Sequence, residues 1–180
     1  MRLLRLQSEQ DPDSWNPEIL IRLGYTAKTN AQNARIIGEA AKAKRYLEQA
    51  RNCFQDILEH IEIVKLSAPF RRYYLSGAHN GMANVMQMSG NLNGAVSHYQ
   101  QATEINHKNT FAFWDYYGLL EWLVNNYNQG WCQEAIRIAE RAVPLISGSP
   151  DFTPEVTKEL KNRVGRLKET CREMTVGGRE

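Results

Sequence analysis

Three residues, Ala95, Tyr99 and Ala102, constrain this chain more than any others, because they form a small-large-small stripe within the stretch Gly90 to Asn109. Residues three and four apart share a helix face, and a face with alanines on either side of one ring admits a second helix at close range. The spacing returns as Ala135, Ala139 and Ala142 after Gly130, and in fainter form as Ala43, Leu47 and Ala50. One helical unit thus occurs three times. Repeated helix pairs stack into extended binding surfaces rather than closing around a reaction pocket.

The helix starts are legible. Asn16-Pro17-Glu18 and Thr153-Pro154-Glu155 each supply a capping side chain, a proline for the first turn and an acid at the positive end of the helix dipole. Ser67 with Pro69, Asn91 and Thr110 are weaker starts, while Gly90, Gly130 and Ser147-Gly148-Ser149-Pro150 punctuate the apolar stretches. The pattern predicts an all-α chain of about seven helices, over roughly 17–30, 34–65, 69–89, 92–106, 110–127, 131–146 and 154–174. The second span is long enough to hide a turn, either at Asn30 to Asn33 or at Gly38. Short connections make the helices antiparallel neighbours. Val156, Leu160, Val164, Leu167, Cys171 and Met174 give the last helix one narrow apolar stripe, the pattern of a cap on a helical stack.

Composition sets the outer bounds. With 180 residues, 42% of them apolar and 23% charged, the chain can bury a sizeable core. A net charge of +2, from 22 basic and 20 acidic residues, does not mark nucleic acid or an anionic membrane as partner. No apolar run approaches the roughly 18 residues of a membrane span, and the apolar run in the opening Met1-Arg2-Leu3-Leu4-Arg5-Leu6 is too short for a signal peptide. Cys53, Cys132 and Cys171 are odd in number and widely spaced, which argues for reduced thiols and a cytoplasmic location.

No catalytic motif is present: there is no His-Glu-x-x-His, no phosphate loop and no nucleophile elbow. The expectation is a chain that is not an enzyme and carries neither cofactor nor metal. His60 and His107 have no ligand spacing, while His79 and His98 are placed so that they could face each other; a packed or solvated pair outweighs a metal site. Arg71-Arg72, Lys42-Lys44-Arg45 and the group Arg137, Arg141, Arg163 and Arg166 read as solvated faces.

The sequence resembles the tetratricopeptide repeat family, whose unit is two antiparallel helices over about 34 residues. In the best copy, Leu75 to Asn109, Met82 and Ala83 stand where the family has leucine and glycine, Met86 where it has an aromatic, and Gly90 in the turn. Ala95, Tyr99 and Ala102 match the second helix, and His107 replaces the closing proline. Another unit pairs Trp114, Tyr117 and Gly118 with Ala135, Ala139 and Ala142, with about six extra residues between, and the first pairs Leu20, Leu23 and Gly24 with Ala43, Leu47 and Ala50. The stripes start 52 and then 40 residues apart, so the array is degenerate. The resemblance implies an alpha-alpha superhelix with an N-terminal arm at 1–16, a repeat domain at 17–150, a capping helix at 151–175 and a disordered tail at 176–180.

It also implies a concave groove built by the first, third and fifth helices. Asn80 and Asn84 fall on groove positions and, with Gln87, form an amide row able to bond a peptide main chain; a solvated polar face is the competing reading. Gly77 and Gly81 share that face, either for close approach of a helix or for a ligand backbone. Phe111, Phe113, Trp114, Tyr116, Tyr117, Trp122, Tyr127 and Trp131 crowd the fifth helix region, where Asp115 and Trp122 would face the groove beside Leu119. The alternative is that these rings fill the core of an overlong helix pair. Asn80 replaces the lysine of the family's carboxylate clamp, which argues against recognition of a free carboxyl terminus.

The function expected is therefore a non-catalytic scaffold that binds a peptide or protein segment. A regulatory or self-associating segment of a larger enzyme, such as a transferase, is the alternative. A helical-repeat nucleic-acid binder fits the even charge balance less well, and binding there would weaken steeply with salt.

Overall fold

The computed structural model describes residues 15–127 and 129–177. Among them are seven α-helices and no strand: α1 (Pro17–Ile36), α2 (Ala40–His60), α3 (Ala68–Met88), α4 (Leu92–Ile105), α5 (Thr110–Asn126), α6 (Cys132–Ser147) and α7 (Pro154–Gly177). A 3-10 turn, Gln129–Trp131, precedes α6. The chain divides into two compact units, Met1–Asn109 and Thr110–Glu180. That division falls inside the span 17–150, read from the sequence as one domain, and groups the expected capping helix with α5 and α6. Residues 1–14 of the expected arm and 178–180 of the expected tail lie outside the described residues.

In the first unit two of the three expected caps bond their helices, whereas Ser67 begins α3 without a side-chain capping bond. Asn16 accepts a hydrogen bond from the Glu18 amide at 2.9 Å, and Asn91 accepts one from the Gly94 amide at 3.0 Å. The hidden turn of the long second span is at Gly38, where φ is +78°, and the turn between α3 and α4 is at Gly90, with φ +82°. Both glycines close the same C-cap motif: the Glu39 amide bonds the Ala34 carbonyl at 2.8 Å, and the Asn91 amide bonds the Met86 carbonyl at 2.9 Å. The two turns lie 52 residues apart, the interval that separates the stripe at Ala43 from the stripe at Ala95. Helix pair, turn and stripe therefore recur together.

Packing in this unit depends on very small residues. Ala43, Ala50, Ala95 and Ala102 are buried at 2% exposure or less, and α3 packs on α1 and α2 as well as on α4. Phe54 of α2, fully buried, is wedged between two glycines. A β-carbon at Gly24 of α1 would come within 2.6 Å of its ring, and one at Gly81 of α3 within 2.3 Å. Real β-carbons do not approach so closely, so glycine is required at both places. Burying such a ring contributes about 1.5–3 kcal/mol. Gly77 likewise makes room for Ile21, 2.8 Å from where its β-carbon would be. Both helical glycines therefore serve the approach of a neighbouring side chain.

In the second unit α5 pairs with α6, and α7 packs on α6. Leu160, Val164, Leu167 and Cys171 of the expected stripe are buried; Val156 and Met174 at its ends are half-buried. Cys171 forms a disulfide with Cys132, with their Cα atoms 5.7 Å apart. This corrects the expectation of reduced thiols: α6 and α7 bring the start of one helix to the end of the other, a juxtaposition that spacing along the chain does not reveal. Cys53 is the free cysteine, and burial pushes its thiol up to about 11. The argument for a cytoplasmic location, which rested on reduced thiols, goes with that correction. No helix among the described residues is long and apolar enough to cross a membrane.

Candidate functional site

The amide row on α3 is half turned inward. Asn80 is only 2% exposed; its Nδ2 donates to the Tyr25 hydroxyl at 3.1 Å, and that hydroxyl donates to the Gly77 carbonyl at 3.0 Å. The Nδ2 donor is thereby satisfied at a depth where an unpaired one costs about 1–3 kcal/mol. Asn80 therefore ties α3 to α1. Asn84, one turn on and half-buried, donates from Nδ2 to the Asn80 carbonyl at 2.9 Å. Gln87, also half-buried, accepts from the Tyr99 hydroxyl of α4 at 3.0 Å through Oε1. The outward part of the row is thus Asn84 and Gln87.

Asp115 and Trp122 belong to α5, in the second unit. Asp115 is half-buried. Trp122 is 43% exposed and meets Tyr127 edge to face, with ring centroids 5.5 Å apart. The crowded rings divide between the two readings offered by the sequence. Phe113, Tyr116 and Tyr117 are core, whereas Phe111, Trp122 and Tyr127 are exposed. Trp114 lies half-buried under the Arg163 guanidinium, whose central carbon is 5.5 Å from its ring and 5.4 Å from that of Tyr117. Arg163 also forms a forked pair with Glu121, which accepts from the Tyr117 hydroxyl at 2.9 Å.

The cations read as solvated faces are largely engaged. Arg137 forks onto Glu134, Arg166 pairs with Glu159, and Arg141 sits 4.9 Å from the Phe113 ring centre. Arg137, followed by a hydrogen bond from Tyr116, holds the Glu134 carboxyl below its usual range against the opposing effect of burial. Lys42 pairs with Glu39, and Arg71 with Glu62.

His79 of α3 and His98 of α4 do face each other, with their Nδ1 atoms 2.9 Å apart. A hydrogen bond at this distance requires one Nδ1 to donate and the other to accept. Burial, and then the neighbouring ring, lowers His79 to about 4, and burial lowers His98 as well. Both rings are therefore neutral at pH 7. Among the described residues no group of three or more His, Cys, Asp or Glu comes together to hold a metal ion.

Sequence reading missed a cleft of about 680 Å³ lined by Arg35, Ala40, Ala43, Lys44, Leu47, Glu48, Arg51 and Ser89. The available signal was the spacing of Lys44, Glu48 and Arg51 on one face of α2, although Arg35 and Ser89 reach it only through tertiary packing. No protein-family model and no curated protein matches the chain.

Proposed function

We propose that this chain is a non-catalytic helical-repeat module, similar to tetratricopeptide arrays, that holds a peptide or protein segment. The observation that carries the reading is the recurrence, 52 residues apart, of the turns at Gly38 and Gly90 together with their alanine stripes. A duplicated helix pair is a device for extending surface. On the first unit Asn84 and Gln87 would meet the main chain of the bound segment, with their amides offering donors and acceptors indifferent to its side chains. The second unit, taken by itself, would offer a separate aromatic anchor in the exposed Trp122 of α5, the residue type that concentrates binding energy. Asn80 supports the site from inside, through Tyr25.

Selection of displayed random peptides on the purified chain tests the proposal. Binders are expected to be enriched; those held by the first unit should lose about tenfold or more in affinity when Asn84→Ala and Gln87→Ala are combined, and those held by the second when Trp122→Ala is introduced, with helical content unchanged. Failure to enrich any peptide, or binders indifferent to all three substitutions, would refute it.

A further inference from the structure

The 680 Å³ cleft on the first unit has a lining that none of the amide-row residues shares. Its floor is apolar: Ala43 and Leu47, both buried, with Ala40 beside them. Its rim is cationic. Lys44 and Arg51 stand on the α2 face at either side of Glu48, and Arg35 arrives from the last turn of α1. Arg35 is anchored there by donating from one terminal nitrogen to the Met88 carbonyl at 2.5 Å. A guanidinium carries five donor hydrogens in a rigid fork, so this anchorage fixes its position and leaves donors for another acceptor. Among the described residues no carboxylate pairs with Lys44, Arg51 or Arg35.

Three cations and one acid around an apolar floor stand out in a chain whose charges otherwise nearly cancel, at 22 basic against 20 acidic residues. We infer that this cleft docks an acidic peptide segment of a partner protein, carboxylates on Arg35, Lys44 and Arg51, and an aliphatic side chain on Ala43 and Leu47. The volume lies within the range of sites that enclose a small ligand or a few residues. No aromatic ring lines it to stack a nucleobase, and Glu48 would oppose a continuous run of phosphates, so a peptide with spaced acids fits better than a nucleic acid. The site goes beyond the amide-row proposal and stands without it.

The test uses the full, oxidised chain and a fluorescein-labelled peptide of alternating glutamate and leucine, read by fluorescence anisotropy. The same peptide with glutamine for glutamate, and an oligothymidylate of equal charge, serve as controls. The acidic peptide is expected to bind at least about tenfold more tightly than the neutral one, and to weaken several-fold between about 50 and about 300 mM salt. Lys44→Glu combined with Arg51→Glu should abolish that binding, whereas Asn84→Ala with Gln87→Ala should not alter it. Lys44→Gln with Arg51→Gln gives a milder version should the reversal disturb folding. Equal binding of acidic and neutral peptides overturns the inference, as does acidic binding that survives both the glutamate and the glutamine replacements of Lys44 and Arg51. Tighter binding of oligothymidylate, lost in the same variants, overturns it in favour of a nucleic acid. Loss caused only by the Asn84 and Gln87 changes would credit the amide row and refute the cleft.

Discussion

The two units of this chain hold together by different means. In α1 to α4 the contacts are those of interlocking shape: Phe54 against Gly24 and Gly81, alanine stripes in the seams, and buried polar links such as Asn80 to Tyr25 and the Ser76 hydroxyl to the Ala102 carbonyl at 2.8 Å. In α5 to α7 packing is supplemented by a covalent bond and by charge, with Cys132 joined to Cys171, Arg163 forked onto Glu121, and Lys168 bonded to Glu140 at 2.9 Å. Alanines alone do not account for the difference, since Ala135, Ala139 and Ala142 of α6 are fully buried as well; what sets the second unit apart is its third helix. A pair of helices with a third laid against it by one narrow stripe gains from a staple.

The largest effect expected is from Phe54→Ala, which should remove about 3–5 kcal/mol of stability in urea unfolding. Hydrogen exchange should accelerate through α1 to α4 and leave α5 to α7 protected; equal acceleration in both would dissolve the contrast between the units. Next comes the disulfide. Reduction, or Cys132→Ser, should cost about 2–4 kcal/mol, read as faster exchange confined to α6 and α7. Should the first unit lose protection to the same degree, the division of labour is wrong.

Smaller again is Glu121→Gln. Its pair with Arg163 is partly exposed, with side chains 19% and 25% accessible, so the loss should be about 1–2 kcal/mol rather than that of a fully buried ion pair. Added salt should lessen the difference between Glu121→Gln and the parent chain.

Least visible at neutral pH, because it develops only in acid, is the effect of pH on the first unit. Because the folded state holds His79 down to about 4 against an ordinary 6.5, the unfolded chain takes up protons first as the medium is acidified. The contribution of the pair is complete above pH 6.5 and is lost progressively as pH falls toward 4. Replacing His79 and His98 by glutamine should flatten this part of the melting profile by a few degrees, and an unchanged profile would show that the rings titrate alike in both states.

Local chemistry made much of the fold readable. The cap at Asn16 with Pro17 and the start at Pro154 are stated by three consecutive residues each, and the alanine stripes announce helix seams at fixed spacing. The turn at Gly38 was one of two readings, because a lone glycine between Ile37 and Glu39 marks a helix end only when its backbone takes the left-handed conformation. Asn80 was on the expected helix face, but periodicity does not say whether a face looks outward, and its partner Tyr25 is 55 residues away in sequence. The disulfide and the cationic cleft were hidden for the same reason. Each depends on helix ends meeting across 39 residues in the one case, and on α1, α2 and the end of α3 converging in the other.

One consequence of the Phe54 wedge concerns how such a chain can change over time. Three positions on three separate helices share one volume, so enlarging Gly24 or Gly81 demands a smaller neighbour at 54, and shrinking that neighbour leaves a void that both glycines are too small to fill. The trio is locked against single steps and free to drift only in concert, and that lock fixes the register of the first helix pair against the helix that follows.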